Sequence, residues 1–375
     1  MVMGPAIGLI LADLGAEVIK IEPIGGDRTR KLLGSGAGYF PMFNRNKRSI
    51  CLDLKTPAGV KIARRLVEKT DVMIENYRPG TLARLGLPYE SFAVSNPRLI
   101  ACSAKGFLAG PYEHRTALDE VTQMMGGLAY MTGPPGRPLR AGASVIDITG
   151  GMFGVIAILA ALERRHRTGK GGEVRCSLFE TTAFLVGQHM AQEAVTGRPA
   201  RPMPERVSAW AIYDIFETLN PGEQLFVGVV SDGQWDAFTR IFDLGEIGQN
   251  PAYATNNQRV LARDAILPAV RALFATMPRG ALVTRLEALG LPFAPIVRPD
   301  ELFDDVHLKH GGLVDVTVPD GGKTKLPALP LELDGRRFAL TRDIPDAGGD
   351  TDEILHDLGW TQAEIAALRR QEIVG

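Results

Sequence analysis

The sequence predicts an α/β fold with a parallel sheet of the doubly wound kind, and three observations carry that prediction. Short strand-like runs alternate with segments of helical periodicity over the first 195 residues, an order that lays helices on the faces of a parallel sheet. The 375 residues are 45% apolar and 23% charged, an ordinary globular balance with room for two or three compact units. With 42 Gly and 25 Pro the chain turns often, as many short units require.

Taken in order, apolar residues recur at helical spacing from Pro5 to Gly15, and EVIKIE (17–22) reads as a buried strand. RSICLDL (48–54) is strand-like, TPAGVKIARRLVEKT (56–70) opens as a helix on Thr-Pro, and DVMIEN (71–76) is strand again. RPGTLARLGL and PYESFAVSN are helical, and RLIACSA (98–104) adds a strand. TALDEVTQMMGGLAYM (116–131) is a helix interrupted at Gly126 and Gly127, followed by a turn-rich segment. A long apolar helix starts at Asp147 and stops at TGKGG, VRCSLF is a strand, and ETTAFLVGQHMAQEA is a helix.

The Pro- and Arg-rich run 196–208 reads as a linker ahead of a smaller α+β unit, 209–297. In that unit AIYDIFET and QLFVGVV pair as a hairpin across NPGE, and three helical stretches follow up to Leu291. Residues 298–335, rich in Pro and Gly, form a returning linker, and 336–375 closes with a helix from about Thr361 to Gln371.

Forty-two Lys plus Arg against 43 Asp plus Glu give a net charge of −1, so no global basic field draws nucleic acid or an anionic membrane. Any anionic ligand is met by a local cluster. Cys51, Cys102 and Cys176 are too few and scattered for a disulfide framework, which fits a reducing, cytoplasmic setting. The opening MVMGPAIGLILADLG meets Asp13 early, and GGMFGVIAILAAL (150–162) is shorter than the roughly 20 residues of a bilayer span, so both read as helices outside a membrane.

No GxGxxG follows a strand, since GSGAG (34–38) has the wrong spacing, and GxxxxGK[ST], HExxH and GxSxG do not occur. The six His lack a ligand pattern, so no metal is expected; His307 and His310 read as a solvated pair. Asp147 reads first as an N-cap of the apolar helix. The alternative is a carboxylate that a ligand approaches closely, beside Gly142, Ala143, Gly150 and Gly151, and spacing alone does not choose. Lys55, Arg78 and Lys105 follow three strand ends, where ligands of open parallel sheets bind, although surface solvation explains any one of them.

The succession LADLGAEVIKIEPIGGDRTR, FNRNKRSICLDLKTPAG, VMIENYRPGTLARLGL, NPRLIACSAKGF with GPY, and ASVIDITGGMFGVIAILAALERRHRTGKGG resembles the family III CoA transferases. These are the formyl-CoA transferase-like proteins, which include α-methylacyl-CoA racemase. The resemblance returns in LPFAPIV and DTDEILHDLGW. It implies a large Rossmann-like domain built from both chain ends (1–195 and 336–375), a small inserted domain, and an interlocked homodimer. It also implies that Asp147 is the nucleophile, and that CoA is contacted by Leu52, Lys55, Asn76, Tyr77, Arg84 and Arg115.

The implied reaction moves CoA from an acyl-CoA donor to a carboxylic acid through an aspartyl anhydride and an aspartyl-CoA thioester. Anhydrides hydrolyse readily, so the site must exclude water and offer donors to each oxyanion, with backbone N–H groups near Gly126, Gly127 or Gly150 as candidates. Three departures stand out. Family chains carry a VLDL-type strand ahead of the loop matched by MVMGPAIG, and none is matched here. Pro23 occupies the place of an Arg that formyl-CoA transferases use for CoA. Leu118 stands where racemases carry His and formyl-CoA transferases an aromatic hydroxyl, which counts against proton transfer there and against formate and oxalate specificity. Isomerisation by α-proton exchange and a non-catalytic CoA-binding role are the alternative readings.

Overall fold

The computed structural model describes residues 1–206, 208–318 and 321–375. Val207, in the expected 196–208 linker, and residues 319 and 320, in the returning 298–335 segment, lie outside the described residues. By its internal contacts the chain divides into two compact units, Met1–Pro204 with Val306–Gly375, and Glu205–Asp305. The second is wider than the expected 209–297, taking in 205–208 and 298–305.

In the first unit the strand-like runs become β1 (Val18–Glu22), β2 (Lys47–Cys51), β3 (Val72–Glu75), β4 (Ile100–Lys105) and β5 (Gly172–Ser177). All pairings among them are parallel, Val18 opposite Lys47, Val72 opposite Ile100 and Ile100 opposite Gly172. They form two sheets, β1–β2 and β3–β4–β5, in place of the single expected sheet. Among the described residues no ladder joins β1 to β3. In β3–β4–β5 burial follows the pairing: Val72 to Ile74, on an edge strand, are half-buried, whereas Ile100 to Ala104 of the central β4 are buried; in β1–β2, Val18 to Ile21 are half-buried while Ile50 is buried in the apolar core. An open edge leaves backbone N–H and C=O groups that another strand or water must satisfy.

The helices that matter here are α1 (Met3–Asp13), α2 (Pro57–Lys69), α3 (Asp119–Met125), α4 (Val145–Thr168) and α5 (Leu178–Thr196). Thr56 caps α2 by accepting the Gly59 N–H, and Ile62, Ala63, Leu66 and Val67 make its buried face. That face shares a core with Ile50, Leu52, Phe92 and the C-terminal Ile354, Leu355 and Ile365, so the chain end is stitched onto the first strands. Each large side chain so buried contributes roughly 1.5–3 kcal/mol. α1 begins ahead of the expected Pro5 and lies on the glycine face of α4: a Cβ on Gly154 would stand 2.6 Å from Ile7 Cδ1, and one on Gly151 would stand 3.1 Å from Ala6 Cβ.

α4 is 24 residues long, extending beyond the 150–162 run at both ends, and by length and composition alone it is long and apolar enough to cross a membrane. Ile146, Val155, Ile158 and the glycines are buried within the unit, while Met152, Ile156 and Leu159 are exposed.

FNRNK, one of the runs that carry the resemblance, forms a buried polar net. Arg45 pairs with Asp13 at 2.7 Å, with the Arg45 side chain 2% and the Asp13 side chain 4% exposed. Lys47 Nζ donates to the carbonyls of Pro5 and Phe43 and to Asn44 Oδ1. Asn46 Oδ1 accepts from the Thr341 and Arg342 N–H groups, tying both ends of the chain together.

In the second unit, β6 (Tyr213–Glu217) and β7 (Gln224–Gly228) pair antiparallel, and β8 (Phe293–Pro295), which sequence reading missed, adds a third strand. Helices Asp232–Ile241, Arg263–Phe274 and Arg279–Ala288 close over Phe216, Trp235, Phe238, Phe242 and Phe274. The returning segment is not structureless: Leu313–Thr317 and Lys323–Pro327 form an antiparallel hairpin whose alternation was masked by the surrounding Pro and Gly.

Candidate active site

Asp147 sits in the first turn of α4, behind Ser144 at the N-cap position, and Ser144 makes no side-chain cap bond. The N-cap reading of Asp147 is therefore overturned. The capping carboxylate is Asp119, at the start of α3, whose Oδ2 accepts the N–H groups of Ile146 (2.9 Å) and Asp147 (3.0 Å). Sequence reasoning missed this because the cap comes from 28 residues away, beyond the reach of any local capping pattern.

The Asp147 side chain is left for other work. It is half-buried, and burial is the largest influence raising its pKa to about 6; Asp119 and Glu120 push the same way, while the Met1 amino group and the Met3 N–H oppose. At neutral pH the group is mostly an ionised carboxylate, partly stripped of water, which is a competent nucleophile.

Gln123 is fully buried. Its Nε2 donates to Asp119 Oδ1, and its Oε1 accepts the Ala141 N–H at 2.8 Å. Arg140 pairs with Glu120 and donates from Nε to the Ala141 carbonyl at 3.0 Å. The loop Arg140–Ser144 thus hangs on α3, and with Ser35 and Tyr39 it lines an open cavity of about 330 Å³ immediately ahead of α4.

Of the small residues expected to admit a ligand, Gly142 and Ala143 are exposed on that cavity. Gly150 and Gly151 are buried against Met3 and Ala6 and serve helix packing instead. The Gly126 N–H is spent on the Thr122 carbonyl at 2.8 Å, so it is withdrawn as an oxyanion donor. Gly127, with φ +83°, allows the chain to restart as the short helix Leu128–Thr132. Leu118, 50% exposed, places an apolar side chain beside Asp119.

The residues implied for CoA lie at strand ends. Leu52 follows β2 directly, but the whole residue is 1% exposed, its N–H is donated to the Glu22 carbonyl and its backbone bridges Val374, so it presents almost no surface to a ligand. Lys55 is exposed between β2 and α2, and Asn76 and Tyr77 are exposed after β3. Arg84 is exposed on the short helix Thr81–Arg84, whose neighbours Leu82 and Leu85 pack on the same core as Leu52. Arg115 stands on another loop, stacked 4.9 Å from the Tyr112 ring beside Phe107 and Phe179. Lys105, considered as a strand-end cation, is turned inward onto Glu75 at 2.5 Å and the Tyr77 carbonyl at 3.0 Å. Among the described residues no group of three or more His, Cys, Asp or Glu could hold a metal ion.

Comparison with known proteins gives a consistent result. The model of CoA-transferase family III matches residues 1–351. A succinate–glutarate CoA-transferase of Agrobacterium fabrum is 34% identical over 371 residues, covering 95% of this chain and 92% of that protein. An acetyl-CoA:oxalate CoA-transferase of Acetobacter aceti is 34% identical over 340 residues, covering 88% of this chain and 86% of that protein. The crystal structure of a CAIB/BAIF family protein from Brucella suis superposes with a TM-score of 0.82 at 32% identity, covering 95% and 96% of the two chains. With that match over a chain that sets a half-buried carboxylate at the head of α4, this protein belongs to CoA-transferase family III.

Proposed function

We propose that the protein transfers CoA from an acyl-CoA to a carboxylic acid through covalent intermediates on Asp147. The observation that carries this reading is that Asp119 caps the helix in place of the half-buried Asp147 carboxyl, three residues along the chain from the last residue of the cavity-lining loop, Ser144. The Asp147 carboxylate attacks the thioester carbonyl, the C–S bond breaks, and CoA thiolate leaves a mixed anhydride. The thiolate then attacks the aspartyl carbonyl, releasing the donor acid and forming aspartyl-CoA. The acceptor carboxylate repeats the sequence in reverse: it displaces thiolate to give a second anhydride, and thiolate attacks its acyl carbonyl, restoring Asp147. Exposed Lys55, Arg78 and Arg84 are suited to the CoA phosphates, and holding the nucleotide keeps the thiolate near Asp147 between steps. The name of the Agrobacterium fabrum relative, built on succinate and glutarate, supports dicarboxylates longer than oxalate as one substrate class.

Incubation with an acyl-CoA followed by hydroxylamine or borohydride is expected to leave a modified Asp147, seen by peptide mass spectrometry. Asp147→Ala is expected to lose the adduct and about 10³-fold or more of kcat. Full transferase activity in Asp147→Ala overturns the reading, and solvent deuterium entering the α-carbon without CoA transfer replaces it with isomerisation.

Support for a homodimer comes from an exposed apolar face. Met152, Ile156 and Leu159 of α4 and Phe184, Leu185 and Met190 of α5 are each at least 37% exposed, and Phe153 packs edge-on against Phe184. We propose that a second copy covers this face. Light scattering is expected to give twice the chain mass, and a monomer at micromolar concentration refutes the pairing.

A further inference from the structure

We propose that Asp119 and Gln123 are positioning residues for acyl transfer: from a separate helix they fix the first turn of α4, and with it the Asp147 carboxyl, while pinning the loop that lines the adjoining cavity. The inference rests on Asp147 as the nucleophile.

The first N–H groups of a helix have no partner within it and need a cap. A local solution stands ready in Ser144, a favoured capping residue, yet its side chain makes no cap bond. The cap comes instead from Asp119, 4% exposed, with both carboxylate oxygens occupied: Oδ2 by Ile146 and Asp147, Oδ1 by Gln123. A carboxylate held in this way is unsuited to compete for the acyl group. Gln123 is satisfied at both ends of its amide, by Asp119 on one side and the Ala141 N–H on the other. One buried side chain therefore connects the nucleophile's helix to the cavity loop, so both reacting partners are referred to the same frame.

The arrangement also places a fixed negative charge beside the nucleophile. Asp147 changes from a carboxylate to neutral anhydride and thioester forms as the reaction proceeds. A neighbouring charge that stays in place raises the ionised starting state, and it favours acylation to the extent that the charge developing on the tetrahedral oxyanion and the departing thiolate lies farther from Asp119 than the Asp147 carboxyl does. The charged and polar groups that face Asp147 are Asp119, Glu120, the Met1 amino group and the Met3 N–H; Arg140, which pairs with Glu120 and stands 4.0 Å from Asp119 Oδ1, offsets part of that negative charge.

The test uses the full-length protein with Asp119→Asn and Gln123→Met, each assayed for kcat, KM for acyl-CoA, pH dependence and the hydroxylamine adduct. Asp119→Asn keeps an acceptor for the helix N–H groups but removes the charge. It is expected to lose about 10–100-fold in kcat, to keep KM for acyl-CoA within about two-fold, and to move the acid limb of the pH profile to lower pH. Gln123→Met keeps the charge and removes both hydrogen bonds; it is expected to lower kcat with the acid limb unmoved. A purely structural role would lower the folded fraction and leave the limb in place. Wild-type kcat and limb in folded Asp119→Asn overturn the proposal; should that variant not fold, wild-type kcat in Gln123→Met overturns it. Absence of an Asp147 adduct in the wild-type protein instead sinks the nucleophile assignment, so the two failures are told apart.

Discussion

The two compact units are held together by different materials. The second buries Phe216, Phe238, Phe242, Phe274 and Trp235 in one apolar cluster, with Phe238 and Phe242 ring centres 4.8 Å apart, and among its described residues the one buried charge is Arg259, which lies over the Trp235 ring and pairs with Asp232. The first buries Asp13, Glu22, Arg45, Lys47, Asp119 and Gln123 among its apolar clusters, each paired or hydrogen-bonded. An apolar core needs only shape and volume. A buried charge must find its partner in a fixed place, so it adds little net stability while dictating where its segment lies. In the first unit those charges sit on the segments around Asp147: Asp13 ends the helix that packs on α4, and Asp119 caps α4 itself. Cohesion in the second unit and placement in the first are different services from similar burial.

The sharpest way to break this contrast is to remove one partner in each core. Phe238→Ala is expected to cost about 3–5 kcal/mol, seen in the second unit through Trp210. Asp13→Ala strands the Arg45 guanidinium and is also expected to cost about 3–5 kcal/mol, seen in the first unit through Trp360. Replacing both partners, Asp13→Leu with Arg45→Met, should recover a large part of that stability, because no unpaired charge remains and only the Asn46 Nδ2 donor to Asp13 loses its acceptor. Urea unfolding of single-tryptophan proteins measures each unit separately. If the double variant is as unstable as Asp13→Ala, the Asp13–Arg45 pair supplies cohesion and the contrast falls.

What the sequence made legible divides along the same line. The five strands of the first unit and the β6–β7 hairpin were readable because apolar runs bounded by turn residues are local signals. The absence of a ladder between β1 and β3 was not, since pairing is a property of segments far apart in the chain. The hairpin at 313–327 was missed because Pro and Gly dominate its composition while LVDVT and KTKLP carry only short alternations. Asp147 stood out by its place ahead of an apolar helix, but the residue that caps that helix, Asp119, is non-local and could be found only in three dimensions. Lys105 looked like a ligand-facing cation until the structure gave it Glu75.

The smallest effect separates a carboxyl kept for chemistry from carboxyls kept for structure. Burial pushes Glu22 and Asp27 up, but Arg30 and Ser49 hold Glu22 below its ordinary range, and Lys20 holds Asp27 at about 2. Carboxyls lowered in the fold contribute stability above their unfolded pKa and lose it as pH falls through the folded value. Asp147, raised to about 6 chiefly by burial, has the opposite sign. The folded protein binds its proton more tightly than the unfolded chain, so ionisation costs stability progressively from about pH 4 to 6 and by a constant amount above that. Asp147→Asn removes this cost. The variant is expected to be more stable than the parent at pH 8, on the order of 1 kcal/mol after solvent screening of a half-buried group, and indistinguishable from it at pH 4. Urea midpoints at the two pH values measure the difference. A variant less stable than the parent at pH 8 would mean that the Asp147 carboxylate braces the fold as the Arg45-bound Asp13 does, and that its position at the head of α4 is owed to structure.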